Sequence, residues 1–263
     1  MTANRFSDES VGRTRRHAIL RLLAGASALI LAGCDQVSRS TWGPKVLKVG
    51  ESASRAAQRA LTSKTALAEE FTEADLSPTF RSNGTANPQS DAYQRLAQTQ
   101  FRDWTLRVDG LVGSPKEFSL DALRQMRSRT QITRHDCVEG WSAIGKWKGA
   151  LLSDILAAVE PSAAARYVVF HCADPMDAQG TPYYESIDLE DARHPQTILA
   201  YELNDKILPI ENGAPIRVRI ERQLGYKMAK YIMRIELVED FKHIRGGNGG
   251  YWEDQGYEWY AGI

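Results

Sequence analysis

Two short segments near the C-terminal end of the chain alternate apolar and charged residues with the period of a β-strand. They are PIRVRI, residues 215–220, and IMRIEL, residues 232–237. Because successive side chains of a strand point to opposite faces of a sheet, this alternation predicts strands that bury one face. Residues 167–170, YVVF, are continuously apolar and predict a buried strand.

The helices predicted between these strands are short. Ser119 stands before LDAL and is suited to cap a helix, and residues 151–159 predict another helix. Residues 104–110 alternate and end at Asp-Gly, which predicts a strand followed by a turn. Since these elements lack the spacing of β–α–β units, the pattern favours one mixed α+β domain that is mainly β.

The composition is that of an ordinary globular protein. Of 263 residues, 43% are hydrophobic and 25% are charged, and the formal net charge is zero. A neutral chain without long runs of one charge gives no electrostatic basis for nucleic-acid binding, so we expect no nucleic-acid partner. The chain has 3 cysteines, which are too few for a disulfide framework. Each cysteine therefore needs its own explanation.

The N-terminal region has the features of an export signal. Arginines at positions 13, 15 and 16 precede residues 18–33, a segment that is short, moderately apolar and rich in small residues. TRRHAIL, residues 14–20, resembles a twin-arginine signal, although Ala18 stands where that pattern prefers a bulky apolar residue. Such a signal exports proteins that have already folded.

The export segment ends in LAGC, which resembles the lipobox of bacterial lipoproteins. The resemblance implies that Cys34 is lipidated, that residues 1–33 are removed, and that the lipid anchors the protein to a membrane. With Asp35 next in the chain, we expect a periplasmic lipoprotein held at the inner membrane. A plain signal peptide or an uncleaved amphipathic start is the alternative.

The remainder of the chain divides into three parts. Residues 34–76 predict a tether and a helix over residues 54–71, and residues 77–243 predict the folded domain, which begins with a polar loop. Residues 244–263 contain a GGNGG run and the aromatic-rich segment YWEDQGYEWYAGI. This tail either simply packs on the domain or also closes over a site or a partner, because aromatic clusters are common at interfaces.

Cys137 lies in a polar segment, TRHDCVEGWSAIGKW, residues 133–147. A thiolate is stabilised by a nearby positive charge or by a metal, and the neighbours of Cys137 are of both signs. The residues alone leave four explanations open: a buried structural cysteine, a zinc site with His135, His171 and Cys172, a nucleophilic pair with His135, and a disulfide with Cys172.

The block CVEGWS, residues 137–142, resembles the molybdenum-ligating segment of the sulfite oxidase family of molybdopterin-dependent oxidoreductases, especially its bacterial periplasmic branch. In that family the cysteine thiolate binds molybdenum, and a soft sulfur donor suits this metal. Three further blocks, LAYELN, NGAPIR and GYKMAK, follow in the family's order and approximate spacing. The resemblance covers residues 104–239 and implies the family's mixed-sheet fold.

The resemblance also implies which residues hold the pterin and its phosphate. An asparagine can donate and accept hydrogen bonds, an arginine offers a planar fork of donors, and a lysine supplies a compact positive charge. Cys172 stands where relatives often place a threonine that contacts the cofactor. The implied cofactor-binding set is Cys137, Asn212, Arg217, Lys227, Met228 and Lys230, with Arg81, Asn83 and Cys172 as weaker members.

The chemistry implied by the resemblance is two-electron oxygen-atom transfer on a small sulfur- or nitrogen-oxo substrate, with a molybdenum–molybdopterin cofactor. Cys137 is then the metal ligand, Glu139 delivers a proton or shapes the pocket, and His135 lines the approach. The family's haem domain has no counterpart in the sequence, so we expect no haem and an external electron partner, either a cytochrome or a quinone-linked membrane subunit. A non-catalytic lipoprotein that uses the fold as a binding module is the alternative.

Overall fold

The computed structural model describes Ser40 and residues 43–263. Two five-stranded sheets and short helices make up the fold. The strands are β1 (Thr105–Gly110), β2 (Lys116–Ser119), β3 (Ser128–Asp136), β4 (Ser142–Leu151), β5 (Tyr167–Pro175), β6 (Pro182–Asp188), β7 (Ile198–Leu203), β8 (Lys206–Ile207), β9 (Arg217–Arg219) and β10 (Ile232–Val238). The helices are α1 (Gly43–Leu61), α2 (Asp91–Gln98), α3 (Leu120–Gln125), α4 (Leu152–Val159), α5 (Leu189–Ala192) and α6 (Tyr251–Asp254).

The first sheet has the strand order β2-β1-β10-β5-β6. Its β1 and β10 run parallel, whereas the other neighbours are antiparallel. Apolar side chains such as Val108, Phe170 and Ile235 are fully buried in the larger hydrophobic core. One mixed sheet and one antiparallel sheet, with short helices and without β–α–β repeats, confirm the predicted α+β class.

The second sheet has the order β3-β4-β7-β8, with β9 paired to β7. Its β3 and β4 form an antiparallel hairpin whose last pair is Asp136 and Ser142. Trp147 is fully buried in the smaller core, together with Phe80 and Leu203. Because the hairpin closes at that pair, Cys137 falls in the turn between the two strands.

Most predicted elements are confirmed, and two need correction. The helix predicted over residues 54–71 is α1, which begins at Gly43 inside the predicted tether and ends at Leu61. Beyond it, the backbone N–H of Phe71 donates to Ile132 O at 2.8 Å, so this stretch follows the edge of the second sheet instead of continuing the helix. The strand predicted over residues 215–220 is reduced to β9, since proline has no backbone N–H to donate.

The chain divides into two compact units, of which the second, Gln58–Ile263, contains both sheets. The predicted export signal and Cys34 lie outside the described residues. No helix within the part of the chain that the structure describes is both long enough and apolar enough to cross a membrane.

The C-terminal tail, residues 244–263, lies against β6 and against the segment before residue 227. Ser186 Oγ donates to Gly249 O, and Trp259 Nε1 donates to Ser186 Oγ at 2.9 Å. Further along, the backbone N–H of Leu224 donates to Ala261 O at 2.9 Å. The tail is thus held at both ends by hydrogen bonds to the domain.

Candidate active site

A cavity of about 190 Å³ opens beside the turn of the β3–β4 hairpin. The walls come from five stretches of chain: the loop after Phe80, the hairpin turn, the ends of β5 and β6, the segment 225–230, and the tail. The lining residues are Asn83, Gly84, Thr85, Cys137, Val138, Glu139, Asp174, Met176, Tyr183, Gly225, Tyr226, Met228, Lys230, Trp252 and Tyr257.

Cys137 is presented to the cavity by a tight turn. Its N–H donates to Trp141 O at 2.9 Å, and its carbonyl accepts from Gly140 N at 3.0 Å. Gly140 has a φ of +83°, a conformation that favours glycine. Burial raises the pKa of the Cys137 thiol above its ordinary value, against the opposing effect of the Glu139 N–H. The sulfur is thus a buried thiol that a metal would have to deprotonate.

Glu139 and Trp141 are tied together beside the cysteine. Trp141 Nε1 donates to Glu139 Oε2 at 2.9 Å, and the guanidinium of Arg81 lies 5.4 Å from the centre of a Trp141 ring. Glu139 lines the cavity, whereas Arg81, a weaker member of the predicted cofactor-binding set, does not. The predicted role of Glu139 in shaping the pocket or delivering a proton is therefore compatible with its position.

Lys230 brings a positive charge to the cavity wall. Its Nζ donates to Asn83 O and Thr85 O, each at 2.6 Å, and to Glu211 O at 3.2 Å. Burial and the charge of Arg217 lower the pKa of Lys230 to about 7. The acceptors are thus neutral carbonyl oxygens. None of these hydrogen-bond partners is a carboxylate that would neutralise the positive charge of Lys230.

Arg217 and Asn212 lie behind the lining residues. Arg217 donates to Asn212 O and Met228 O, each at 3.2 Å, and lies 5.2 Å from a ring centre of Trp147. Burial and the neighbouring Arg219 lower the pKa of Arg217 to about 9. Arg217 Nε and Asn212 Nδ2 are buried and find no hydrogen-bond partner among the described residues.

His135 is fully buried and does not line the cavity. Its Nδ1 lies 3.0 Å from Arg219 Nη1 and 3.3 Å from Met228 Sδ. Burial and the charge of Arg219 lower its pKa well below the ordinary value, so the ring is neutral and accepts at Nδ1. A Cβ on Gly225 would lie 2.4 Å from His135 Nε2, so glycine is required where the segment 225–230 crosses the ring. His135 therefore supports a wall of the site from behind.

Lys227 and Cys172 are also not brought to the cavity. Lys227 Nζ donates to Glu185 and, at 2.5 Å, to Glu253 Oε1, and all three side chains are essentially fully buried. Burial lowers the pKa of Lys227, but the two carboxylates outweigh this effect and raise it above its ordinary value. Cys172 is a buried thiol whose pKa is raised well above the ordinary value by burial. Neither side chain lines the cavity, so the structure lends no support to their predicted contact with the cofactor.

The alternatives for Cys137 are also narrowed. Cys137 and Cys172 are both free thiols, which excludes the disulfide alternative. Within the described residues, no group of three or more histidine, cysteine, aspartate or glutamate side chains could hold a metal ion, which argues against a zinc site. The His135 ring engages Arg219 and Met228, not the cysteine.

Asp174, Trp252 and Tyr257 are among the lining residues that were not predicted as site residues from the sequence. Asp174 is buried and lines the cavity, and its Oδ1 finds no hydrogen-bond partner in the described part of the chain. Burial raises the pKa of Asp174 to about 6. Trp252 and Tyr257 come from the tail, where the aromatic density was the available signal.

The profile of the oxidoreductase molybdopterin binding domain matches residues 93–243, more than half of the chain. The chain belongs to this family of molybdopterin-binding oxidoreductases. Membership confirms the predicted relation to the sulfite oxidase type and the fold that this relation implies. It also makes molybdenum–molybdopterin the implied cofactor.

Named relatives cover different parts of the chain. A protein of Azospira oryzae, provisionally named protein-methionine-sulfoxide reductase subunit YedZ1, is 41% identical over 172 residues, which are 65% of this chain and 60% of that protein. The protein-methionine-sulfoxide reductase catalytic subunit MsrP of Xanthomonas axonopodis is 34% identical over 248 residues, 91% of this chain and 74% of MsrP. MsrP of Ralstonia nicotianae is 36% identical over 57% of this chain and 48% of its own length. The chain thus spans between about half and three quarters of these relatives.

Among solved structures, the sulfane dehydrogenase SoxCD of Paracoccus pantotrophus aligns with a TM-score of 0.47 and 20% identity. The alignment covers 52% of this chain and 39% of that chain. This likeness is too low to bear on the site or the substrate.

The residues around the cavity fit a molybdopterin group. Cys137 offers the sulfur, and Lys230 offers a positive charge that a phosphate can neutralise. Asn83 Oδ1, Asn212 Nδ2 and Arg217 Nε are buried polar atoms without a partner among residues 43–263. Unpaired buried donors and acceptors are costly, and a polar pterin edge could satisfy them.

Proposed function

We propose that this member of the family reduces methionine sulfoxide in proteins by two-electron oxygen-atom transfer. The observation that carries the proposal is the placement of the Cys137 thiol at one cavity with Lys230 and with a neighbouring set of unpaired buried polar groups. The names of the relatives YedZ1 and MsrP, protein-methionine-sulfoxide reductase subunits, support the choice of substrate.

In this proposal, Cys137 holds molybdenum, and Asn83, Asn212, Arg217 and Lys230 hold the pterin and its phosphate. When bound, the cofactor supplies the two-electron exchange of an oxygen atom. The overall reaction joins one sulfoxide, two protons and two electrons to give one thioether and one water. The chain itself contributes binding, orientation and protons.

One of the two acidic groups at the cavity supplies the protons. Asp174 lines the cavity, and burial raises its pKa to about 6, so its carboxyl is close to the poise that a general acid needs at neutral pH. Glu139 also lines the cavity, but its Oε2 accepts from Trp141. We assign Asp174 as the proton donor through Oδ1 and Glu139 to holding the turn that carries Cys137.

We also propose the cellular setting. The arginine pair and the LAGC segment near the N-terminus favour twin-arginine export and lipidation of Cys34. The electrons then come from an external donor, a cytochrome or a quinone-linked membrane subunit. Fractionation of cells that carry Cys34→Ala tests the anchor: the variant should leave the inner membrane and appear in soluble periplasm, and unchanged membrane retention would contradict lipidation at this site.

The central experiment compares the exported protein with Cys137→Ser, both produced in a host that makes molybdopterin. The original chain should contain molybdenum and should oxidise a reduced viologen dye when N-acetyl-methionine sulfoxide is added. The variant should lose both properties, with Cys172→Ser as the control that keeps them. An original chain that contains no molybdenum, with behaviour unchanged by Cys137→Ser, would instead favour a non-catalytic binding module.

A nitrogen-oxo substrate serves as the comparison for specificity. The same assay with trimethylamine N-oxide should give a much lower kcat/KM than the methionine sulfoxide compound. A preference for the N-oxide would keep the cofactor chemistry but overturn the proposed substrate.

A further inference from the structure

The C-terminal tail contributes two aromatic rings to the cavity that also contains Cys137. We propose that this tail aromatic pair, Trp252 and Tyr257, forms the apolar face of the substrate subsite and selects the thioether end of an oxidised methionine side chain. The inference rests on the proposed function for the identity of the substrate. It adds residues that set specificity, on a segment outside the matched domain, residues 93–243.

The two rings form one continuous surface. Their centres are 5.2 Å apart with an angle of 30° between the planes. Tyr226, another lining residue, meets Tyr257 edge-on at 5.4 Å. Met176 also lines the cavity, so aromatic rings and a thioether make up much of its apolar lining. Lys230 and Asp174 supply polar groups to the same cavity.

The pair is held in place by the fold. The N–H of Tyr257 donates to Trp252 O at 2.9 Å, which closes the turn between the two rings. Glu253, next to Trp252, points into the domain and accepts from Lys227 at 2.5 Å. Asp254 accepts from Tyr184 at 2.5 Å. Buried polar contacts thus fix the backbone on which the two rings stand.

The surface suits a methionine sulfoxide better than a small anion. A methionine sulfoxide side chain carries one polar oxygen and an apolar methyl and methylene portion, and thioether sulfur packs favourably against aromatic rings. A small oxyanion such as sulfite would instead need several free cationic donors. Here the acidic side chain of Glu139, two positions from Cys137, lines the cavity, and its negative charge disfavours an anionic substrate beside the sulfur.

The rim of the cavity is open enough for a side chain that belongs to a protein. Tyr257 is 43% exposed and Val138, next to Cys137, is 45% exposed. Exposed apolar groups at the mouth of a site provide contact for the backbone and neighbours of the reacting residue. The pair therefore extends from the cavity to its solvent-exposed edge.

The test measures kcat and KM separately for Trp252→Ala and Tyr257→Ala, with a methionine-sulfoxide peptide as substrate. Each variant should raise KM for the peptide about fivefold to tenfold, in line with the loss of a sulfur–aromatic contact, and should change kcat little. Dimethyl sulfoxide, which lacks the side chain, should show little change in KM. Tyr260→Ala is the matched control, because Tyr260 belongs to the same tail and does not line the cavity.

A second measurement avoids turnover. Calorimetric binding of N-acetyl-methionine, the thioether product, to the oxidised molybdenum-loaded protein should weaken about fivefold to tenfold in both variants and stay unchanged in Tyr260→Ala. Tyr257→Ala is the safer variant for folding, because this side chain is 43% exposed. Molybdenum content per chain checks that the cofactor is retained.

The outcomes separate the two proposals. If the original chain reduces the peptide while both variants keep its KM and its product affinity, the subsite inference is wrong and the proposed function stands. If the loaded original chain reduces N-oxides but not methionine sulfoxide, the proposed function fails and the subsite inference fails with it. A raised KM in Tyr260→Ala as well would show a general effect of the tail and would overturn the assignment to the pair.

Discussion

Lys227 and Lys230 lie three positions apart in one motif, GYKMAK, and both are buried. Lys227 Nζ is held between the carboxylates of Glu185 and Glu253, whereas Lys230 Nζ is held by backbone carbonyl oxygens. The pKa of Lys227 is raised because its carboxylates outweigh the effect of burial. The pKa of Lys230 is lowered to about 7 by burial and by Arg217.

The difference teaches which buried charge is structural and which is available to a ligand. The ammonium of Lys227 is compensated within the protein and anchors the tail. The ammonium of Lys230 is compensated by no carboxylate among its described hydrogen-bond partners, and it faces the cavity. A buried charge that the protein does not compensate is a site where an anion gains most by binding.

The largest expected effect comes from removing the compensated charge. Lys227→Met should lower the free energy of unfolding by about 3–5 kcal/mol, because it leaves two buried carboxyl groups without their cation. Urea unfolding of the molybdenum-free protein measures this loss. Lys64→Met is the control, since Lys64 pairs with Glu190 but is 76% exposed, and such surface pairs contribute less than about 1 kcal/mol. A loss as small as that of the control would mean that Lys227 is not a structural anchor.

The second-largest expected effect is a change in the pH dependence of stability, and it comes from Asp174. Burial raises the pKa of this carboxyl group, and the positive charge of Lys230 partly opposes that rise. Burial still raises the pKa of Asp174 from 3.8 to about 6, so the native state holds a proton that the unfolded state has released. The contribution of Asp174 to the free energy of unfolding is fully present below the pKa of the unfolded state. It is lost as the pH rises through the higher pKa of the native state. Asp174→Asn should remove up to about 3 kcal/mol of pH dependence in this window.

The measurement is urea unfolding of the molybdenum-free protein over that acidic range. Other carboxyl groups titrate there too, so the difference between the original chain and Asp174→Asn isolates this residue. Asp103→Asn is the matched control on the surface. Parallel pH profiles for the original chain and the variant would contradict the raised pKa.

A smaller loss of stability is expected for Lys230→Met. The change leaves the carbonyls of Asn83 and Thr85 without their donor, which costs about 1–3 kcal/mol. Molybdopterin content should fall sharply, because the cavity loses its cation. Folded Lys227→Met should retain more molybdenum than Lys230→Met. The reverse order of retention would exchange the roles assigned to the two lysines.

The sequence predicted the fold class and most strands because these rest on local patterns and on one family resemblance. The alternation of residues 232–237 and the capping serine of α3 are of this kind: Ser119 Oγ accepts from Ala122 N at 3.1 Å, as expected. The polar neighbourhood likewise singled out Cys137, which lines the cavity, but it did not predict the turn on which this residue lies. The helix predicted over residues 54–71 was misplaced, because its second half bonds to the second sheet through Phe71.

The sequence could not assign the two lysines, because their partners are distant in the chain. Glu185 comes from β6 and Glu253 from the tail, 42 and 26 positions from Lys227. The same holds for His135, whose partner Arg219 is 84 positions away. A sequence motif gives the order of the side chains but not their directions. Here the backbone of the 3-10 turn over Gly225–Lys227 determines which side chain of the motif faces the cavity.

The smallest expected effect is that of Glu253→Gln. It tests whether Lys227 is balanced by two ionised carboxylates, those of Glu185 and Glu253, or by only one of them. Lys227 brings one positive charge to two carboxyl groups in a dry interior, so one of these groups is better protonated. Burial, opposed by the charge of Lys227 but reinforced by Glu253, raises the pKa of Glu185 well above its ordinary value. The amide that Glu253→Gln introduces keeps an oxygen for Lys227 and leaves a neutral pair of Lys227 with Glu185.

Glu253→Gln should therefore change the unfolding free energy by less than about 1 kcal/mol at neutral pH. The raised pKa of Glu185 makes the original chain lose stability as pH rises through it, and the variant removes one cause of that raised value. In urea unfolding measured over a series of rising pH values, the stability of the variant should consequently increase relative to that of the original chain. If Glu253→Gln instead weakens the protein as much as Lys227→Met does, both carboxylates are ionised, and the buried lysine is balanced by two negative charges together.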